Sequence, residues 1–192
     1  MTVSKFDAHI AVLRSLSVTL DNILQDLPEA SGTMMEMGGP GPVFDAIACG
    51  DAIVLEHCCS ILARMAECSP LFAPYICQDG GTHMRTIVSV LGASLLTDTK
   101  PLDSLIDIEP ADESLLTTLA TVTSSSALAV ATFFEIQGIV ALGKLLLAPN
   151  AGLQVRLRSL LFIPVRRIRT VTMSDVCYCS YMQSKYLRIV YL

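Results

Sequence analysis

The chain repeats its own plan. Residues 54–91 (VLEHCCSILARMAECSPLFAPYICQDGGTHMRTIVSVL) and 111–148 (ADESLLTTLATVTSSSALAVATFFEIQGIVALGKLLLA) follow one order at a shift of 57 positions: a long amphipathic helix, a short helix, a glycine, then an apolar helix. The shift sets Leu62 against Leu119, Ala63 against Ala120, Gly81 against Gly138 and Arg85 against Leu142. A third, partial copy starts where 150–163 echoes 50–63. Units of this kind bury their apolar faces by stacking on their neighbours. The composition agrees. The 192 residues are 52% hydrophobic and 16% charged, enough for a sizeable core and too weakly charged for a disordered chain. Aromatics are only 6% and Trp is absent, so small aliphatic side chains build the core, which suits helix-on-helix packing. The expected class is all-α. A collagen, a disulfide-knotted mini-domain and a polybasic nucleic-acid tail are excluded.

The stretch FEIQGIVALGKLLLAPNAGLQVRLRSLLF (134–162), with the Gly pair before the apolar helix at 82, resembles the armadillo repeat. There a short first helix ends at Gly, a second helix follows, and a loop leads to a long third helix. The resemblance covers roughly 43–162 and extends to related HEAT-type arrays. It implies a short α-solenoid, a right-handed superhelix of helical repeats. Third helices then fall at 54–67, 113–125 and 153–162, first helices at 69–78 and 126–136, and second helices at 82–96 and 138–148. Pro70 is tolerated in the first turn of its helix. Gly81 and Gly138 each end a short helix, where a left-handed backbone is cheap for Gly. The resemblance further implies a concave surface of third helices that binds helical or extended segments of other proteins. Peptide-holding members of the family present a Trp and, four residues on, an Asn from the third helix. Those places fall on Ser60 and Arg64, then on Thr117 and Thr121, so that peptide grip is not carried over.

Four segments are expected: 1–30, an N-terminal amphipathic helix; 31–42, a linker; 43–163, the repeat domain; and 164–192, a basic, poorly ordered tail. In the first, Phe6, Ile10, Leu13, Ser17, Leu20, Leu24 and Leu27 step by four and three, with Asp7, Arg14, Asp21 and Asp26 off the stripe. The second, SGTMMEMGGPGP, is rich in Gly and Pro. Net charge divides the chain unevenly: residues 1–150 carry 6 Lys/Arg against 17 Asp/Glu, and 151–192 carry 7 against 1. Arg166, Arg167 and Arg169 with four tyrosines make that tail basic and aromatic, and its Val, Ile and Tyr favour strand over helix. The array stops one helix into a repeat without a polar cap, the pattern expected of a truncated or alternatively terminated form. Seven cysteines, odd in number and irregularly spaced, read as reduced thiols of a cytoplasmic or nuclear protein.

No chemistry-bearing motif emerges. Successive residues on a helix point about 100° apart, so His57, Cys58 and Cys59 cannot share a metal. Cys58, Leu62 and Met65 instead form a core stripe. Cys177 and Cys179 lack partner ligands, His83 being a remote candidate. Ser124, Ser125 and Ser126 sit between two helices, where capping explains them. The sequence contains no G-x-S-x-G, H-E-x-x-H or G-x-G-x-x-G. The reading is therefore a non-enzymatic protein with no cofactor and no metal, binding other proteins rather than a specific nucleic acid. Its candidate partner-binding feature is the acidic stretch 97–112, where Asp98, Asp103, Asp107, Glu109 and Asp112 are opposed only by Lys100. Such density attracts basic partners. The alternative is a membrane-associated helical protein anchored through 115–148, since Leu115 to Phe134 is 20 residues without a charge. Against a membrane role, eight of these residues are Ser or Thr.

Overall fold

The computed structural model describes residues 5–97 and 110–138, and the side chains of 7–91 and 110–138. The later second helix beyond 138, the third helix at 153–162 and the tail lie outside these residues. Eight helices and no strand are described: α1 (Lys5–Asp26), α2 (Ala30–Glu36), α3 (Gly41–Ile47), α4 (Ala52–Cys68), α5 (Phe72–Ile76), α6 (Gln78–Thr97), α7 (Pro110–Ser125) and α8 (Ala127–Glu135). Over the described residues the all-α expectation holds, and the coarser description of a helical bundle replaces that of a solenoid. The arrangement is a helical bundle around α4, which packs most extensively on α7 and also meets α1, α2, α3 and α5.

Local chemistry sets the ends of α4. Asp51 has extended backbone and its Oδ1 accepts the Val54 N–H at 3.1 Å, capping the first turn. At the other end Ser69 is extended (φ −119°, ψ 117°), as the residue before a proline is pushed to be. Between them the buried residues of α4 are all apolar or thiols: Val54, Cys58, Cys59, Ile61, Leu62, Ala63 and Met65. The expected core stripe of Cys58, Leu62 and Met65 is among them.

The partner helix α7 solves a harder problem, because it buries Thr118 and Thr123 along with Leu115, Leu116, Leu119 and Val122. Each buried hydroxyl donates to its own helix, Thr118 to the Ser114 carbonyl at 2.8 Å and Thr123 to that of Leu119 at 2.7 Å. A buried hydroxyl satisfied in this way avoids the desolvation penalty. The helix then stops at Ser126, which turns extended (φ −131°, ψ 125°) and whose Oγ accepts the Ala129 N–H at 3.3 Å to start α8. Capping at the serine cluster is thereby borne out at Ser126. Over its described part the proposed anchor segment is divided: the uncharged run from 115 passes through the rest of α7 and into α8, which meet at this break. No described helix is long and apolar enough to cross a membrane.

Two local expectations are corrected. Segment 31–42 contains most of α2 and the start of α3, with Met34 and Met35 packed against the core. Its glycines serve a turn. Gly39 is left-handed (φ 71°), donates to the Met34 carbonyl at 3.0 Å, and lies where a Cβ would come within 3.1 Å of the Tyr75 ring. The other correction concerns the repeat glycines. Gly81 is left-handed (φ 76°), but at the second junction the left-handed residue is Gln137 (φ 58°), not Gly138. Gly138 is required for space: an added Cβ would collide with the Phe133 ring.

The candidate interaction surface at the seam of α1 and α4

On α4 the residues His57, Ser60 and Arg64 fall at i, i+3 and i+7, which places them along one helical face. That face carries α1. All three side chains converge on one carboxylate, Asp21 of α1, which is only 8% exposed. Ser60 Oγ donates to Oδ1 at 2.8 Å and Arg64 Nε to the same oxygen at 3.1 Å. His57 Nδ1 lies 2.9 Å from Oδ2. An ionised carboxylate only accepts, so the proton sits on Nδ1. Arg64 also reaches Gln25 Oε1 at 3.4 Å. Burial by itself would push the Asp21 carboxyl up; the hydrogen bonds from His57, Ser60 and Arg64, with the Arg64 charge, outweigh it and hold the group below the usual aspartate range.

A second contact pins the N-terminal half of α1. Arg14 Nε lies 3.0 and 3.1 Å from the two Asp51 oxygens and Nη2 lies 2.5 Å from Oδ2, a forked pair. The hydrogen bonds from Arg14, and then that of Val54 N–H, hold Asp51 at about 2. One carboxylate thus caps α4 and ties α1 to it. Beside this pair a cleft of about 300 Å³ is lined by Asp7, Ile10, Ala11, Arg14, Cys49, Gly50 and Asp51.

The sequence reading set Asp21 off the buried stripe and Leu27 on it. The structure reverses both: Asp21 is buried and Leu27 is 51% exposed. Spacing within α1 could not reveal this, because the donors that make burial of Asp21 tolerable stand 36 to 43 residues away. Ser60 and Arg64, singled out as the places of the missing peptide-holding pair, are engaged by the chain's own first helix. Their counterparts Thr117 and Thr121 are half-buried on α7.

The five candidate acids are not brought together. Asp98, Asp103, Asp107 and Glu109 lie outside the described residues, whereas Asp112 is 2% exposed in the first turn of α7 and does not face solvent. Buried position takes Asp112 out of an exposed acidic surface. His83 is stacked between Phe44 and Tyr75, with ring centroids 4.4 and 5.0 Å away. Cys177 and Cys179, the thiols for which it was a remote co-ligand, lie outside the described residues. Among the described residues no group of three His, Cys, Asp or Glu could hold a metal ion. Cys49, Cys58, Cys59, Cys68 and Cys77 are free thiols. Burial pushes Cys58 up to about 11 and Cys59 higher still. Comparison with protein-family models, with curated proteins and with solved structures gave no match to this chain.

Proposed function

We propose that this protein is a non-catalytic interaction scaffold whose repeats, of armadillo type, present successive third helices to other proteins. The observation carrying this reading is the pairing of α4 with α7. These two helices, equivalent at the 57-residue shift, pack on each other more extensively than any other pair of described helices. Stacked equivalent helices turn equivalent faces outward, and that is how helical arrays build a continuous binding surface. On α7 this face carries Ser114, Thr117 and Thr121, all half-buried. Acids at 98, 103, 107 and 109 add attraction for basic segments of a partner.

The test compares proteins captured by the full chain and by its Thr117→Glu/Thr121→Glu variant, with far-UV circular dichroism confirming the fold. The scaffold reading expects specific partners to be lost with the variant. A partner set unchanged by it removes the α7 face from the function. Neutralising Asp98, Asp103, Asp107 and Glu109 to the amides is expected to weaken capture at low salt and to matter little near 1 M, where the Debye length is only about 3 Å.

A further inference from the structure

Among the described side chains of α1 the buried ones are Ser17, Asp21 and Leu24, so two of the three are polar. Its neighbour α4 buries only apolar groups and thiols. The outer face of α1 carries Val12 and Leu16, 56% and 60% exposed, and Ile23, with exposed Leu27 just beyond its end. Hydrophobic burial is the main favourable term in packing; α1 contributes Leu24 to the core and packs Leu13 and Leu20, partly buried, against it. Specific polar contacts stand beside this modest apolar seam: Asp21 on His57, Ser60 and Arg64, and Arg14 on Asp51. Such contacts give a precise register, and their loss exposes groups that water can solvate. α1 joins the next helix through Leu27, Pro28 and Glu29, and Pro28 cannot supply the N–H that would continue a helix.

We propose that α1 is a detachable strap, and that the seat on α4 beneath it receives an amphipathic helix of another protein carrying a carboxylate where α1 carries Asp21. This proposal rests on the scaffold reading, for it names the state in which the α4 face becomes available and the chemistry it selects. The occupant follows from charge and geometry. Arg64, Ser60 and His57 present convergent donors along one helical face, and a carboxylate satisfies all three. A helix offering an amide instead keeps an oxygen for one donor but turns an NH₂ toward the others. A helix offering an apolar group takes away the carboxylate oxygen that Ser60 and Arg64 share. Because α1 is tethered, it competes at an effective concentration on the order of millimolar. The closed strap lowers the apparent affinity of an incoming helix by the fraction of chains that are open.

The experiment uses the full chain, its Asp21→Asn and Arg64→Gln variants, and a fluorescent synthetic peptide of residues 5–27. Hydrogen exchange of the α1 amides is read beside that of Leu119 in α7. The peptide is expected to bind the Asp21→Asn chain about ten to a hundredfold more tightly than wild type, the loss of charge-assisted hydrogen bonds having opened the strap. Exchange in α1 rises by a similar factor while Leu119 keeps its protection. The Arg64→Gln chain loosens α1 too, but its damaged seat binds the peptide at least about tenfold more weakly than the Asp21→Asn chain does. A peptide carrying Asp21→Asn binds the Asp21→Asn chain more weakly by a similar factor. Equal peptide affinity for wild type and Asp21→Asn overturns the strap, as does exchange that rises in α1 and at Leu119 together. Equal affinity for the Asp21→Asn and Arg64→Gln chains overturns the carboxylate seat. A chain that passes all of these but loses no partner through Thr117→Glu/Thr121→Glu keeps its strap while the scaffold reading fails at α7.

Discussion

The helix pair α4–α5 and the pair α7–α8, set at a shift of 57 positions in the sequence, are each a long helix followed by a short one, and they are bounded by different chemistry. Each long helix breaks at a serine with extended backbone, Ser69 in the first and Ser126 in the second. In the first pair the following Pro70 enforces the break; in the second the Ser126 hydroxyl does so by capping α8. Each short helix then ends in a left-handed residue, supplied by the run Asp79, Gly80 and Gly81 in one pair and by Gln137 in the other. The inward face is common to both, with Leu62 and Leu119 fully buried at matching places. Outward, His57, Ser60 and Arg64 of α4 contrast with Ser114, Thr117 and Thr121 of α7. Packing tolerates few inward choices, whereas the outward face is free to specialise. In this chain α4 has become the seat of α1.

The most damaging way to test the equivalence is at its shared core. Leu62→Ala and Leu119→Ala are each expected to lower stability by about 2–5 kcal/mol, read from urea unfolding. A loss under about 1 kcal/mol at Leu119 alone would break the comparison, since a buried leucine at a true counterpart cannot be dispensable. The glycines come next. Gly81→Ala forces a side chain into a left-handed backbone and onto Thr132, while Gly138→Ala meets only the Phe133 ring. Losses of about 1–3 kcal/mol are expected for Gly81→Ala, with strain of both kinds. Gly138→Ala is expected to cost less if Phe133 can rotate, and a thermal melt that ranks them in reverse would reassign the junctions. Ser126→Ala should cost about 1 kcal/mol through the lost cap. It should fray α8 selectively in hydrogen exchange.

Smaller effects sharpen the outward contrast. The Asp21 carboxyl is held below its ordinary value in the folded chain, so its contribution is complete above about pH 4 and is lost as pH falls through the lower folded value. Urea midpoints of wild type and Asp21→Asn are therefore expected to converge on acidification from pH 6 to 3. A gap that widens instead would mean that Asp21 is not held as a carboxylate. The smallest effect is chemical. Cys68 is exposed, whereas burial raises Cys58 and Cys59, so peptide mapping after brief alkylation at neutral pH should find Cys68 modified well before those two.

Much of the helical architecture was legible because it follows from short-range physics. Spacing of three and four placed α4, α7 and the regular part of α6 within a few residues of where they stand, and turn residues marked the breaks. The segment 31–42 misled for a physical reason: glycine reads as flexibility in a sequence, yet Gly39 and its neighbours make a turn between two short helices. Proximity to Tyr75 cannot be seen in a run of glycines.

The sequence by itself determined that the described residues are helical, where their long helices lie, and which face of α4 turns inward. These are consequences of periodicity and of backbone preferences acting over a few residues. Only the tertiary structure decided that Asp21 is buried and that Ser60 and Arg64 are taken up within the chain. The tertiary structure also set Asp112 inside the bundle and divided the uncharged stretch from 115 between two packed helices. Each of these turns on the energy of a polar group away from water, which depends on partners brought close by the fold and distant in the chain.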